Sequence, residues 1–254
     1  MKRKVLIIGI GAGNPEHVTV QAVNALNRVS AFFIPNKGSE KQDLANLRRT
    51  ICDRFIENTS YRMVDFDTPF REGSSASYGE SVEKWHASIE GIYERLLIEE
   101  LGEGERGAFL VWGDPSLYDS ALRILHKIRA KGRIDLDLEV VPGISSVQAL
   151  AAAHKVPLNR IGESVMITTG RRLGEGFPND ADSVVVMLDG QSAFKSVDED
   201  LDIYWGAYIG TDDEVLVSGK LREVTDEIER VRQAARDRKG WIMDTYLLKR
   251  PEKR

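Results

Sequence analysis

An α/β architecture of two domains is predicted by three observations. Strand-length apolar runs alternate with helix-length amphipathic runs along the chain, the pattern of sheets covered by helices. The strand runs are apolar nearly throughout, as expected for mostly buried sheets. A Pro-Gly break in "EVVPGISSVQAL" separates two sets of such runs, placing one α/β domain at 1–141 and a second at 142–254. In a chain of 254 residues, each half is long enough to bury a core of its own.

The first set opens with "VLIIGIG", where Gly9, Gly11 and Gly13 suit a strand entering a tight turn. Preceded by "MKRK", this segment superficially resembles a secretory signal. The glycines are out of place in a helical signal core, and no run reaches membrane-spanning length, so the chain is expected in the cytoplasm. "AFFIP" is the next strand. The following "DLANLRRTICDRFI" is a helix with Leu44, Leu47, Ile51 and Phe55 on one stripe. Cys52, the single cysteine, lies beside that stripe and reads as a small packing residue; no disulfide framework is available. "YRMVDF" is a strand, and Val82, Trp85, Ile89, Ile92 and Leu96 mark one face of a long helix. "GAFLVW" and "LEVV" complete the set. Between them, Gly113-Asp114-Pro115 interrupts an apolar run before a helical one. Taken alone, Asp114 reads as a helix N-cap and Pro115 as the first helical residue.

The second set comprises "SVMITT", "SVVVML", "IYWGAYIG", "EVLVSG" and "WIMDTYLL" as strands. "REVTDEIERVRQAARDRK" is a helix carrying Val224, Ile228, Val231 and Ala235. Two such domains are expected to meet across a cleft, a frequent place for small-molecule sites.

Several function classes are disfavoured. A net charge of -5 argues against a general polyanion binder, and hence against nucleic acid. A dinucleotide fingerprint would need Gly at 14, where Asn14 stands; the acidic ribose ligand and any Walker A motif are also missing. His17, His86, His126 and His154 are dispersed, so no metal is expected; His126 and His154 read as surface or packing residues.

"GIGAGNPEHVT", "WGDPSLYDS", "VVPGISS" and "VVVMLDG", in this order and spacing, resemble the tetrapyrrole methylase family of S-adenosylmethionine-dependent methyltransferases. "KQDLANLRRTICDRFI", "EKWHASIEGIYERLL", "GAFLVWGDPSLYDSALRIL" and "PLNRIGESVMITTGRRL" resemble the branch of that family that deacetylates its substrate in aerobic cobalamin biosynthesis. The resemblance covers almost the whole chain. It implies two α/β domains, a homodimer, and S-adenosylmethionine in the cleft between domains, leaving as S-adenosylhomocysteine. The family's usual Gly-Pro-Gly-Asp-Pro loop is altered here, with Ala12 and Asn14 in place of the first proline and the aspartate.

By the same resemblance, Pro15, Trp112, Gly113, Asp114, Ser145, Ser146, Met187 and Ala207 are candidate cofactor contacts. The residue types alone leave alternatives open: the serines also suit helix capping, and Met187 and Ala207 also suit a core. The implied acceptor is precorrin-5, methylated at C-1 with loss of acetate. A polycarboxylate macrocycle asks for cations, and Lys37, Arg48, Arg49, Arg171 and Arg172 are the candidates. Arg171-Arg172 is the strongest pair, directly after a strand, although each arginine also suits a solvated surface. Deacetylation asks for a general base, for which Asp114, Tyr118, His17 and His86 are candidates without an assignment. Competing readings are a precorrin C-methyltransferase without deacetylation, an RNA methylase of the same fold, or a non-catalytic nucleotide-binding module.

Overall fold

The computed structural model describes residues 2–36, 42–58, 60–69 and 78–251. The chain divides into two compact units, Met1–Gly11 with Pro15–Ile144 and Ala12–Asn14 with Ser145–Arg254.

The first unit is built on β1 (Lys2–Gly9), β2 (Ala31–Asn36), β3 (Arg62–Asp67), β4 (Arg106–Val111) and β5 (Asp135–Val141). They form one sheet in the order β3-β2-β4-β1-β5, with every pairing parallel. Helices α1 (Val20–Leu26), α2 (Gln42–Phe55), α3 (Tyr78–Glu99) and α4 (Ala121–Ala130) cover it on both faces. Successive residues of a strand point to opposite faces. Val5 and Ile7 pack with Ile89, Leu96 and Leu97 of α3 and Ile124, Leu125 and Ile128 of α4. Leu6 and Ile8 pack with Ala22, Ala25 and Leu26 of α1 and Ile51 and Cys52 of α2. This two-sided burial explains why the strand sequences are apolar without alternation, each buried aliphatic side chain contributing about 1.5–3 kcal/mol. Cys52 is a packing residue, its thiol pushed up to about 12 chiefly by burial.

The expected start of α4 is corrected by the structure. Asp114 and Pro115 do not begin a helix; the chain makes an irregular turn, Leu117 N–H bonding to Asp114 O at 3.2 Å, and α4 starts only at Ala121.

The second unit runs α5 (Ser146–His154), β6 (Val165–Thr169), α6 (Gly170–Leu173), β7 (Ser183–Met187), β8 (Asp202–Ala207), β9 (Val215–Lys220), α7 (Leu221–Lys239) and β10 (Asp244–Lys249). Its sheet has the order β6-β7-β10-β8-β9; only β6–β7 is parallel. α7 buries Leu221, Ile228 and Ala235 against Val184, Val186, Ile203, Trp205 and Tyr246, with Val224 and Val231 half-buried beside them. Two expectations change here. Trp241 and Ile242 precede the last strand instead of opening it. The sheet is also not buried throughout, because β6 is an edge strand with Val165, Met166 and Ile167 each more than a third exposed.

Candidate functional site

Parallel strands end on one edge of their sheet, and in such sheets that edge is where ligands bind. In the first unit the ends of β4, β1 and β5 lie side by side, and each continues into a glycine-containing turn. Gly113 N–H bonds to Gly11 O at 2.8 Å, with both glycines in the left-handed region at φ 73° and 84°. A Cβ on Gly9 would lie 2.6 Å from Gly143 N and 2.8 Å from Gly113 O, so no side chain fits there. Gly143 is equally restricted by Gly113 O and the backbone of Gly9. Three backbone segments therefore approach more closely than side chains would allow.

Asp114 fastens this edge. Oδ2 accepts the Gly143 N–H at 2.9 Å, and Oδ1 accepts the Ser116 N–H at 2.8 Å and the Ser116 hydroxyl. Burial works to raise the Asp114 pKa, but these bonds together outweigh it and hold the carboxyl below the usual carboxylate range. Three of its roughly four acceptor positions are filled, leaving Oδ2 capacity for one more donor. A carboxylate held ionised in this way binds donors well and is a weak base.

The other candidates of this unit lie on several elements. Pro15 opens a 3-10 turn, Pro15–His17, ahead of α1, whose N-terminus Thr19 caps through a 3.1 Å bond from Ala22 N–H. His17 packs against the bare face of Gly11, and its Nδ1 is buried without a hydrogen-bond partner among the described residues. Trp112 is half-buried directly after β4. Tyr118 is about half exposed at φ 53°, a conformation uncommon for a tyrosine, and partial burial raises its hydroxyl pKa. His86 lies half-buried on α3 beside Trp85.

In the second unit, Ser145 is a buried N-cap. Its hydroxyl accepts the Val147 N–H at 3.2 Å while Gln148 Oε1 accepts the Ser145 N–H at 3.1 Å, a reciprocal capping box. The structure thus fills the capping role that the residue type allowed. Ser146 accepts a 3.2 Å bond from the Thr245 hydroxyl. Met187 ends β7 half-buried, whereas Ala207 is fully buried within the core. The methyl of Ala207 packs in the interior, filling the core role that the residue type also allowed. His154 also packs, its Nε2 3.0 Å from Trp205 O, while His126 is exposed.

Within "VVVMLDG" the backbone does something the residue types do not announce. Leu188, following Met187, is 66% exposed and adopts φ 54°. It is held there by its neighbour Asp189, a buried carboxylate that accepts bonds from Ala193 N–H at 2.7 Å, Gln191 N–H at 3.0 Å and the Tyr246 hydroxyl at 2.7 Å.

The basic candidates separate. Lys37 lies outside the described residues. Arg48 is not a surface arm: it is buried, its Nε donating to Leu110 O at 2.9 Å, and burial lowers its pKa. Arg49 is engaged by Asp65 at 2.5 Å on the outside of β3. Arg171 and Arg172 are the exposed residues of α6, immediately after β6, with Arg172 2.8 Å from Glu175. Among the described residues, no group of three or more His, Cys, Asp and Glu is placed to hold a metal ion.

A model of the tetrapyrrole (corrin/porphyrin) methylases matches residues 4–225. The chain is 55% identical over 249 residues to a precorrin-6A synthase (deacetylating) from Sinorhizobium sp, covering 98% of this chain and 95% of that protein. It superposes with a TM-score of 0.85 and 38% identity on the crystal structure of a cobalamin synthesis related protein (CobF) from Corynebacterium diphtheriae, covering 99% and 100% of the two chains. A uroporphyrin-III C-methyl transferase from Thermus thermophilus, solved in complex with S-adenosylhomocysteine, shares the fold at TM-score 0.58 and 17% identity, covering 97% of each chain. With the family model spanning most of its length, and a relative more than half identical almost end to end, the chain belongs to the tetrapyrrole (corrin/porphyrin) methylases.

Proposed function

We propose that this methylase converts precorrin-5 to precorrin-6A in aerobic cobalamin biosynthesis, methylating C-1 and releasing the acetyl group as acetate. The near-full-length identity of 55% to a precorrin-6A synthase (deacetylating) carries this reading. Written with R as the ring carbon, R–COCH3, water and the sulfonium donor give R–CH3, S-adenosylhomocysteine, acetate and two protons. The C–C bond to the acetyl group breaks, and its electron pair stays on C-1 to form the new bond to methyl.

S-adenosylmethionine, when bound, supplies an electrophilic methyl group on a positively charged sulfur. The residues present fit such a ligand. In the first unit, the close packing of Gly9, Gly113 and Gly143 on one another fixes the strand-end turns, and Asp114 keeps an acceptor position for a hydroxyl or ammonium donor. We assign cofactor contacts there to Pro15, Trp112, Gly113 and Asp114, and in the second unit to Ser145, Ser146 and Met187. The Ser145 hydroxyl is already committed to its helix cap, which leaves its main chain for the contact.

Methyl transfer removes positive charge from sulfur, so a strong anionic contact at sulfur would favour the ground state over the transition state. Asp114 therefore serves best on polar groups away from sulfur, and the chain's main contribution is alignment, which can supply about 7–11 kcal/mol. His17 and Tyr118 remain candidates for moving the proton of the attacking water, alongside His86. The depressed pKa of Asp114 makes it the weakest base of the set. Arg171 and Arg172 are the proposed contacts to macrocycle carboxylates. By family resemblance we also infer a cytoplasmic homodimer; no described helix is long and apolar enough to cross a membrane.

Turnover with purified precorrin-5 tests the reading. One S-adenosylhomocysteine and one acetate are expected per product, with solvent oxygen-18 entering the acetate. Methylated product without acetate would overturn deacetylation and leave methyl transfer standing.

A further inference from the structure

In the second unit the parallel strands β6 and β7 pair in register, with Thr169 opposite Met187, so the chain leaves the sheet at two adjacent points on one edge. Both exits carry proposed ligand contacts. Arg171 and Arg172 of α6 follow β6, while β7 ends on Met187 and is followed by the exposed Leu188. One group touches both exits: the side chain of Asp189, which is 5% exposed. On the β7 side its carboxylate accepts the Gln191 N–H, the Ala193 N–H and the Tyr246 hydroxyl. Its main-chain oxygen accepts a 2.8 Å bond from Arg232, whose Nε donates to Asp244 at 2.9 Å, so this exit is tied to α7 and β10. On the β6 side stands Gly170, the first residue of α6. A Cβ there would lie 2.6 Å from the Cβ of Asp189 and nearer still to its carboxyl group. The φ of Gly170 is outside the left-handed region, so its own conformation does not ask for glycine; the contact with Asp189 does. A carboxylate is costly to bury unless several donors surround it, and once surrounded it fixes them relative to one another.

We propose that Asp189 is a positioning residue for methyl transfer, setting the spacing between the β7 exit that meets the cofactor and the α6 exit that meets the macrocycle. The inference rests on the proposed contacts of Met187 and of Arg171 and Arg172, and deepens them by naming what keeps them in register. Donor methyl and acceptor carbon react from a narrow range of geometries, and a misplacement of about 1 Å can cost about a hundredfold in rate. The spacing is therefore read in kcat more than in the affinity for the cofactor alone.

Two substitutions disturb it from opposite sides. Asp189→Asn keeps the shape but turns an amide donor toward donors, loosening the β7 exit. Gly170→Ala keeps every partner of the Asp189 carboxylate and pushes α6 away from it. Methyl transfer to precorrin-5 and calorimetric binding of S-adenosylhomocysteine are measured on the full-length protein, at a temperature where circular dichroism shows each variant folded. In both variants kcat should fall about ten- to hundredfold, with the Kd of S-adenosylhomocysteine within about threefold of wild type. Tyr246→Phe removes one donor to the carboxylate and keeps the ring; it serves where either variant does not fold, with a several-fold loss of kcat. Wild-type kcat in the folded variants, whatever the change in melting temperature, overturns the proposal and leaves Asp189 as a loop closure. Affinity lost at wild-type kcat overturns it equally. Methyl transfer is scored apart from acetate release, so a wild-type protein that methylates without releasing acetate marks failure of the deacetylating reading alone.

Discussion

The carboxylate of Asp114 holds the backbone N–H of Gly143 at 2.9 Å, joining the turn after β4 to the turn after β5 across the end of β1. These residues are 29 positions apart in the chain, and the bond fastens two of the glycine turns that form the strand-end edge. Because the hydrogen bonds outweigh burial, the folded pKa of Asp114 lies below its unfolded value. Such a group lends stability that is fully present above about pH 3.9 and is lost as pH falls through the lower folded value. Asp114→Asn should therefore cost about 1–3 kcal/mol at neutral pH. That gap to wild type should narrow in acid. Denaturant titrations at neutral and strongly acid pH measure it, and an equal gap at both would remove the charge from the explanation.

Gly113 and Gly143 should respond differently to alanine. At Gly113 the obstacle is φ 73°, worth about 1–2 kcal/mol for an L side chain. The fold should survive that, with S-adenosylmethionine binding weakened. At Gly143 the new Cβ would meet the carbonyl of Gly113 and the backbone of Gly9, which cannot rotate away. Gly143→Ala should cost more, about 2–3 kcal/mol, and disturb the turn that Asp114 holds. Thermal melts and calorimetric cofactor titrations of both variants provide the comparison. Equal stabilities would show that the turns have room to separate.

Leu188→Gly should weaken binding without costing stability. Glycine removes the penalty of φ 54°, while its greater unfolded freedom offsets about half of the gain. A melting temperature unchanged or raised by about 2–4 °C is expected. If the exposed side chain is kept in this conformation to meet a ligand beside Met187, cofactor or precorrin affinity should fall about tenfold, or about 1.4 kcal/mol. Wild-type affinity for both ligands would make Leu188 a strained surface residue and nothing more.

Replacing Arg171 and Arg172 together with alanine should leave the melting temperature within about 1 °C, because both side chains are exposed and the Arg172–Glu175 pair is a surface contact. Precorrin affinity should fall at low ionic strength while cofactor affinity is kept, and the difference from wild type should shrink as salt is added. Titrations at two salt concentrations decide it; a loss independent of salt would point to shape instead of charge.

The sequence by itself determined the class of fold, the ten strands and the longer packing helices, though not α1 or α6, because hydrophobic periodicity records which faces of an element are buried. Residues 5–8 are apolar in succession because the sheet is covered on both sides. That Ser145 and Ser146 suit helix capping was legible for a similar reason, capping being local to one turn; the reciprocal partner Gln148 came from the structure. Relationships set by strand order were left to the tertiary structure. Periodicity cannot tell that β6 lies at an edge, that Arg48 turns inward to Leu110, or that Ala207 is sealed in the core. Nor can the residues around Asp114 reveal Gly143 as its partner. In isolation an aspartate before a proline reads as a helix cap, and only the placement of β1 between β4 and β5 brings in a distant N–H that binds the carboxylate instead. The left-handed turn at Leu188 was hidden in the same way, since Asp189, Ala193 and Tyr246 impose it through bonds that form once β7 and β10 pair.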